Sequence, residues 1–447
     1  MFQIKNARMT NGSLATLLVK DGAIEAVAAQ EATVPVGSSA LSLSDLGEFA
    51  RADGQIVDAA GEWLIPGLVD VHVHSRDPGH PAKETWQTLT AAAYQGGVVA
   101  LCDMPNTSPP TLDRDSVVDK AERARAAGID FKLYLGVTND NVERLALLLS
   151  DASLPLCGIK VYYGQSTGNH TFSDLDKLAK AVRTCPDTLI VFHSEDQCTI
   201  DGNESKMLPD GHGFNHPAAF AVHSAIRSSG AAMTATKAIL EWAGTQRRRI
   251  HIAHVSTPIE IELIQSARGR GVKVTCEVAP HHLFFSTADY VRLGAFLKMN
   301  PPVRASAEVA ALAKLFGAGL IDCFATDHAP HTREEKMRTD YHACPSGVPG
   351  VDFFAPLLVK AARQFGLGMP AAIAMGAEHP ARLFGFTNHG ALAPGRAADF
   401  VWLKEGRSYV TSDAVKSKCA WTPYENFEVP VQVEATWHRG MKVFHRG

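Results

Sequence analysis

Along the chain, apolar runs rich in β-branched residues alternate with Ala- and Leu-rich stretches of helical character. The runs lie at 64–74, 98–105, 131–137, 157–163, 188–193, 250–255, 272–278 and 320–326. The helical stretches lie at 84–95, 114–127, 140–150, 173–184, 231–243, 258–268 and 306–318. Alternating strands and helices predict a parallel sheet. Eight such units predict an α/β fold closed into a (β/α)8 TIM-like barrel. A doubly wound open sheet is the alternative, but it usually needs fewer units.

The two ends carry a different pattern. Residues 1–63 hold short β-rich pieces, among them Phe2-Gln3-Ile4 and Ala15-Thr16-Leu17-Leu18-Val19, and residues 391–447 repeat that character at Asp399–Leu403 and Met441–Phe444. Neither end suffices for a domain alone. Together they are expected to build one small composite β domain (1–63 plus 391–447) beside a catalytic barrel (64–390). Pro394-Gly395 signals the turn between them, and the Ser-, Gly- and Ala-rich stretch 33–55 reads as a loose loop.

Chemically active residues fall where the apolar runs end. His72 and His74 end the first run, Asn106 follows the second, and Lys160 lies in the fourth. His193 and Glu195 end the fifth, His254 the sixth, His281 and His282 the seventh, and Asp327 the eighth. Barrel enzymes keep their active sites at the C-terminal ends of the strands. Side chains alternate along a strand, so His72 and His74 share a face and can hold one metal ion. Arg76 has the same parity and is suited to an anionic substrate group.

Taken singly, several of these residues read two ways. His193 serves equally as a core histidine or a ligand, and Asp327 as a turn cap. His251 and His254 are three apart, hence on opposite faces of their strand, and His254 is nearer its C-terminal end. His328 has the wrong parity for a ligand. Lys160 is the odd member, because an ammonium cannot bind a metal. A buried lysine of lowered pKa can instead take up CO₂ as a carbamate, an anionic ligand able to bridge two cations. A salt bridge or a snorkelling side chain is the plainer reading of Lys160.

Composition narrows the class. The net charge is −4, and the one basic cluster, Arg247-Arg248-Arg249, is short. Nucleic acid and anionic membranes are therefore not expected partners. No apolar run approaches the length of a membrane span, and the N-terminus lacks a signal-peptide core. The 8 cysteines are scattered, with no Cys-x-x-Cys pair. A reducing, cytoplasmic location without disulfides follows as the expectation.

As an ordered set, the motifs resemble those of the dihydroorotases within the amidohydrolase superfamily. They are His72-Val73-His74-Ser75-Arg76-Asp77-Pro78-Gly79, Met104-Pro105-Asn106-Thr107, Gly158-Ile159-Lys160-Val161-Tyr162, His193-Ser194-Glu195-Asp196 and His254-Val255-Ser256-Thr257. Pro280-His281-His282-Leu283, Asn300-Pro301-Pro302-Val303-Arg304 and Asp327-His328-Ala329-Pro330-His331 follow. The resemblance runs from about 60 to 400. It implies reversible interconversion of dihydroorotate and N-carbamoyl-L-aspartate in pyrimidine biosynthesis. It further implies two zinc ions: one on His72, His74 and Asp327, a second on His193 and His254, with carboxylated Lys160 between them. Asp327 is implied as general acid/base, and Arg76, Asn106, Asn300 and His331 as substrate contacts. A homodimer is compatible with the resemblance. Asp352 stands where many relatives have glutamate, and Ser75 replaces a usual apolar residue.

Two other functions compete. Dihydropyrimidinases, hydantoinases and allantoinases share the metal cluster but need no arginine for a ring carboxylate. A metal-free dihydroorotase-like partner of aspartate carbamoyltransferase would lack ligands that this chain retains.

Overall fold

The computed structural model describes residues 1–29, 55–166, 171–208 and 217–446. The stretch 33–55, read above as a loose loop, lies outside the described residues apart from Gln55. The five strands before the barrel are β1 (Phe2–Arg8), β2 (Leu14–Lys20), β3 (Ala23–Ala29), β4 (Gln55–Asp58) and β5 (Trp63–Pro66). The barrel strands are β6 (Leu68–Val73), β7 (Val98–Asp103), β8 (Asp130–Gly136), β9 (Leu156–Tyr162), β10 (Ile190–His193), β11 (Ile250–Ile252), β12 (Val274–Val278) and β13 (Cys323–Phe324). Three more follow: β14 (Phe400–Tyr409), β15 (Glu428–His438) and β16 (Met441–His445).

Strands β6 to β13 form one parallel sheet in sequence order. Its two edges meet. Val73 bridges His328 in parallel, the His74 N–H donates to the His328 carbonyl at 2.8 Å, and the Thr326 N–H donates to the Asp70 carboxylate at 3.1 Å. The parallel eight-stranded barrel expected from the alternation is thus present. Helices cross between its strands at Trp86–Gln95, Arg114–Ala127, Leu145–Ser150, Leu175–Ala181, Ser229–Gln246, Pro258–Gly269 and Ser306–Gly317. Local chemistry sets where they begin. Thr85, Asp113 and Thr257 each cap a helix start, accepting from the N–H three residues on. After β13 come the helices Phe354–Phe365, Met369–Gly376 and Glu378–Phe384, which the pattern reading leaves unassigned.

The run 64–74 differs from its reading as one strand. It is two strands, broken at Gly67, and β5 pairs with β14 in the other sheet. A Cβ at Gly67 would lie 2.6 Å from a Val99 methyl, so only glycine lets the chain pass there from one sheet to the other. That second sheet runs β16-β15-β14-β5-β1-β2-β3, with β4 beside β1, and draws strands from both chain ends. Most of its pairings are antiparallel.

Both faces of the barrel strands are buried, as expected where helices cover a parallel sheet. Val69, Val71, Ala100, Cys102, Val191, Cys323 and Ala325 pack in one cluster with Phe384 and Phe386. A larger cluster joins the other strand positions to the helices.

Candidate metal centre

The parallel strands bring six distant residues to one end of the barrel. His72 lies in β6 and His74 just beyond it, Lys160 lies in β9, and His193 ends β10. His254 and Asp327 follow β11 and β13. His254 (φ 35°), Asp327 (φ 47°) and the neighbouring Arg76 (φ 59°) all take left-handed backbone conformations, uncommon for non-glycine residues and often found at functional sites.

The first group is His72, His74 and Asp327, whose ligand atoms lie within 4.8 Å of one another. His72 Nδ1 bonds the Glu277 carboxylate, so Nδ1 carries the proton and Nε2 keeps its lone pair. His74 Nδ1 bonds Asn106 Oδ1 at 2.6 Å, with the same consequence. Burial pushes the pKa of His72 down and that of His74 well down, which favours the neutral form of both rings. Each Nε2 lies 3.2 Å from Asp327 Oδ1. Two imidazole lone pairs thus face a carboxylate oxygen with no hydrogen between them. A cation removes that repulsion, and neutral imidazoles with a carboxylate suit zinc.

The second group is His193, His254 and Lys160. His193 Nε2 donates to Glu195 at 2.9 Å, leaving the Nδ1 lone pair 3.1 Å from His254 Nε2. Burial lowers both pKa values, that of His254 further because His193 adjoins it. The His72 and His254 ring centres are 5.0 Å apart, so the two groups adjoin. Lys160 is fully buried, and its Nζ has no hydrogen-bond partner. Burial pushes its pKa down to about 8. An unpartnered buried amine is a costly group unless it is modified or ligated.

Strand parity does not decide between His251 and His254. β11 ends at Ile252, and the positive φ at His254 turns the chain out of strand geometry, so parity no longer applies. His251 Nε2 and the His254 N–H both address Glu277, at 3.1 and 3.2 Å. His254 nevertheless is the ring that meets His193. His328 lies outside the cluster, bonding Glu84 and the Gly350 N–H.

Arg76 is buried beside this centre. Its Nε donates to the Pro330 carbonyl at 3.1 Å, and Nη2 lies 3.0 Å from His331 Nε2. The neighbouring carboxylates are engaged elsewhere, Asp77 with Arg123 and Asp103 with Lys120. No salt bridge to Arg76 occurs among the described residues. His331 Nε2 also lies 3.0 Å from the Ser346 carbonyl, and its Nδ1 is 3.1 Å from Lys83 Nζ. Asn106 Oδ1 bonds His74 and so orients its ring. Asn300 is half-buried with an unpartnered Oδ1, and no hydrogen bond among the described residues ties it to the other nine.

Sequence reasoning missed Glu277, the acid behind His72, and noted Glu195 without giving it a role behind His193. Burial would raise the pKa of Glu277, but its contacts with His72 and His251 hold it well below the carboxylate range. Arg227, at 2.5 Å, and His193 do the same for Glu195. Such outer carboxylates fix the tautomer of a metal-binding histidine. The available signal was a glutamate inside the apolar run Val274–Val278.

The amidohydrolase family model matches residues 63–440. A dihydroorotase of Halobacterium salinarum is 36% identical over 411 residues, 88% of this chain and 92% of that one. A dihydroorotase of Methanosarcina mazei is 36% identical over 399 residues, 86% of this chain and 84% of that one. Among solved structures, an L-hydantoinase (dihydropyrimidinase) from Arthrobacter aurescens superposes with a TM-score of 0.87 at 26% identity, covering 100% of this chain and 97% of that one. Among the described residues, no helix is long and apolar enough to cross a membrane. The chain belongs to the amidohydrolase family and, within it, groups with the dihydroorotases.

Proposed function

We propose that the chain catalyses the dihydroorotase reaction, adding water across the ring amide of dihydroorotate to give N-carbamoyl-L-aspartate and closing the ring in reverse. One observation carries the choice within the family: Arg76 is a buried guanidinium with no carboxylate of its own, beside a cluster of neutral imidazoles. Dihydroorotate brings the missing carboxylate. A bidentate pair with Arg76 would neutralise the buried charge and fix the ring against the reacting centre. Asn106, Asn300 and His331 are assigned to the same face of the substrate.

His72, His74 and Asp327 would hold one zinc ion, His193 and His254 a second, and Lys160, as its carbamate, would bridge them. Bound there, the cations would supply Lewis acidity, lowering the pKa of the attacking water and polarising the amide carbonyl. Asp327 accepts the water's proton as the carbon–oxygen bond forms. It returns that proton to the ring nitrogen as the carbon–nitrogen bond breaks, so one water is consumed and Asp327 is regenerated. Burial raises the pKa of Asp327, which strengthens it as the base that takes the water's proton. Glu277 and Glu195 keep the rings of His72 and His193 in the tautomers that face the centre.

The same reading assigns residues 1–63 and 391–447 to one composite domain beside the barrel. It also places the protein in the cytoplasm, in keeping with eight unpaired cysteines. The second reading, a hydantoinase or dihydropyrimidinase, is favoured by the Arthrobacter aurescens likeness. Ring opening of dihydroorotate, followed with and without a chelator, tests the proposal. Turnover lost on chelation and restored by zinc is expected. Turnover that survives complete metal removal would reject the mechanism, and a metal-loaded protein inert toward dihydroorotate would reject the substrate.

A further inference from the structure

One buried charge near the site has no part in the chemistry above. Lys336 closes the short helix Arg333–Lys336 and is fully buried. Among the described residues, no carboxylate pairs with its ammonium. Its Nζ donates instead to three backbone carbonyls, those of Pro345 at 2.9 Å, Lys298 at 3.0 Å and Gly347 at 3.1 Å. Three carbonyls use all three ammonium protons, the condition under which such a charge tolerates burial. A second ammonium works on the same stretch. Lys298 Nζ donates to the carbonyls of Cys344, at 2.6 Å, and Tyr341, and lies 4.1 Å from the centre of the Tyr341 ring.

The stretch Tyr341–Gly347 has no helix or strand, so no ladder satisfies its carbonyls. Yet it runs along the proposed substrate pocket. The Ser346 carbonyl lies 3.0 Å from His331 Nε2, and the Ala329 N–H donates to the Val348 carbonyl at 2.9 Å. On the other side, the Lys298 carbonyl held by Lys336 stands two residues before Asn300, and it also accepts the Gly347 N–H at 2.9 Å.

We propose that Lys336 is a positioning residue for substrate binding: by gathering the carbonyls of Lys298, Pro345 and Gly347, its ammonium sets the spacing between the Asn300 and His331 sides of the pocket. It touches neither substrate nor metal ligand. The proposal rests on the reading of that pocket as the dihydroorotate site.

Lys336→Met tests it. The variant leaves the Pro345 and Gly347 carbonyls without their donor while filling similar volume. KM for dihydroorotate is expected to rise about tenfold, the size expected from one or two lost hydrogen bonds, with kcat and metal content near wild type. Lys298→Met, which frees the Tyr341–Cys344 end of the same stretch, is expected to move KM in the same direction. An unchanged KM in either folded variant overturns the proposal, as does a fall in kcat that tracks lost metal. If neither variant folds, amide exchange in the wild type decides. A Gly347 amide as slow as those of the barrel strands is expected, and one exchanging at the rate of an open loop overturns the proposal. A wild-type protein that binds metal but does not open dihydroorotate sinks the functional reading itself, a result visible before any variant is measured.

Discussion

At the scale of single residues, the site is a set of groups whose ordinary partners are missing. Asp327 faces two imidazole lone pairs, Lys160 has no hydrogen bond, and Arg76 has no carboxylate. Each of these groups makes a different prediction. Asp327→Asn should abolish turnover, since an amide cannot shuttle the proton, while His193 and His254 still retain metal by elemental analysis. A variant with near-wild-type rate would remove Asp327 from the acid/base role. Arg76→Ala should act chiefly on KM for dihydroorotate. Losing one partner of a buried charge pair costs about 3 kcal/mol, roughly a hundredfold. If its effect instead followed metal loss alone, Arg76 would not be the carboxylate contact. Lys160→Ala should be inactive, with partial rescue by added short carboxylic acids that stand in for the carbamate. Full activity without rescue would exclude a bridging role.

At the scale of elements, the residues matter only because strands end where they do. The apolar alternation made the eight barrel strands legible, because each one had to be covered on both faces. The same pattern put His72, His74, His193, His254 and Asp327 at run ends and Lys160 within its run, but their reading as one ligand set came from the family resemblance, because each taken singly also reads as a core or capping residue. Less visible was geometry that depends on leaving the strand. The positive φ of His254 defeats a parity argument, and the break at Gly67 is made by packing against Val99. Glu277 was hidden inside an apolar run, where only its three N–H neighbours explain it. A comparable close approach supports the loops. A Cβ on Gly96, which ends the helix Trp86–Gln95, would lie 1.9 Å from the Val351 carbonyl oxygen. Gly96→Ala should therefore cost about 1–3 kcal/mol, the usual range for overpacking. Denaturant unfolding would show it, and an unchanged midpoint would mean that the helix and the Val351 turn are not held this closely.

At the scale of the whole molecule, a charge network joins the barrel to the sheet drawn from both chain ends. His389 lies 2.8 Å from Asp399, just before β14, and 3.1 Å from Asp130, at the start of β8. His438 Nδ1 meets the other Asp399 oxygen at 3.1 Å, and Arg439 meets Asp130 at 2.5 Å. Burial disfavours the charged form of His389, but the two carboxylates outweigh it and raise its pKa to about 9. A histidine raised above its unfolded value of about 6.5 adds stability that is complete below that pH and lost as pH rises through its folded pKa. Thermal unfolding should therefore show Tm falling between neutral pH and about pH 10, and His389→Gln should flatten that fall. Equal slopes in the two proteins would show that His389 is not charged in the folded state.

The proposed specificity rests on a buried guanidinium bringing an acidic ring to a pair of cations. The ratio of kcat/KM for dihydroorotate to that for dihydrouracil, measured on the metal-loaded wild-type protein, tests this most directly. The two rings differ in the carboxylate that Arg76 is assigned to hold. A preference for dihydroorotate of about a hundredfold or more is predicted, the worth of about 3 kcal/mol of charge pairing. Equal rates, or a preference for the uncharged ring, would contradict the account.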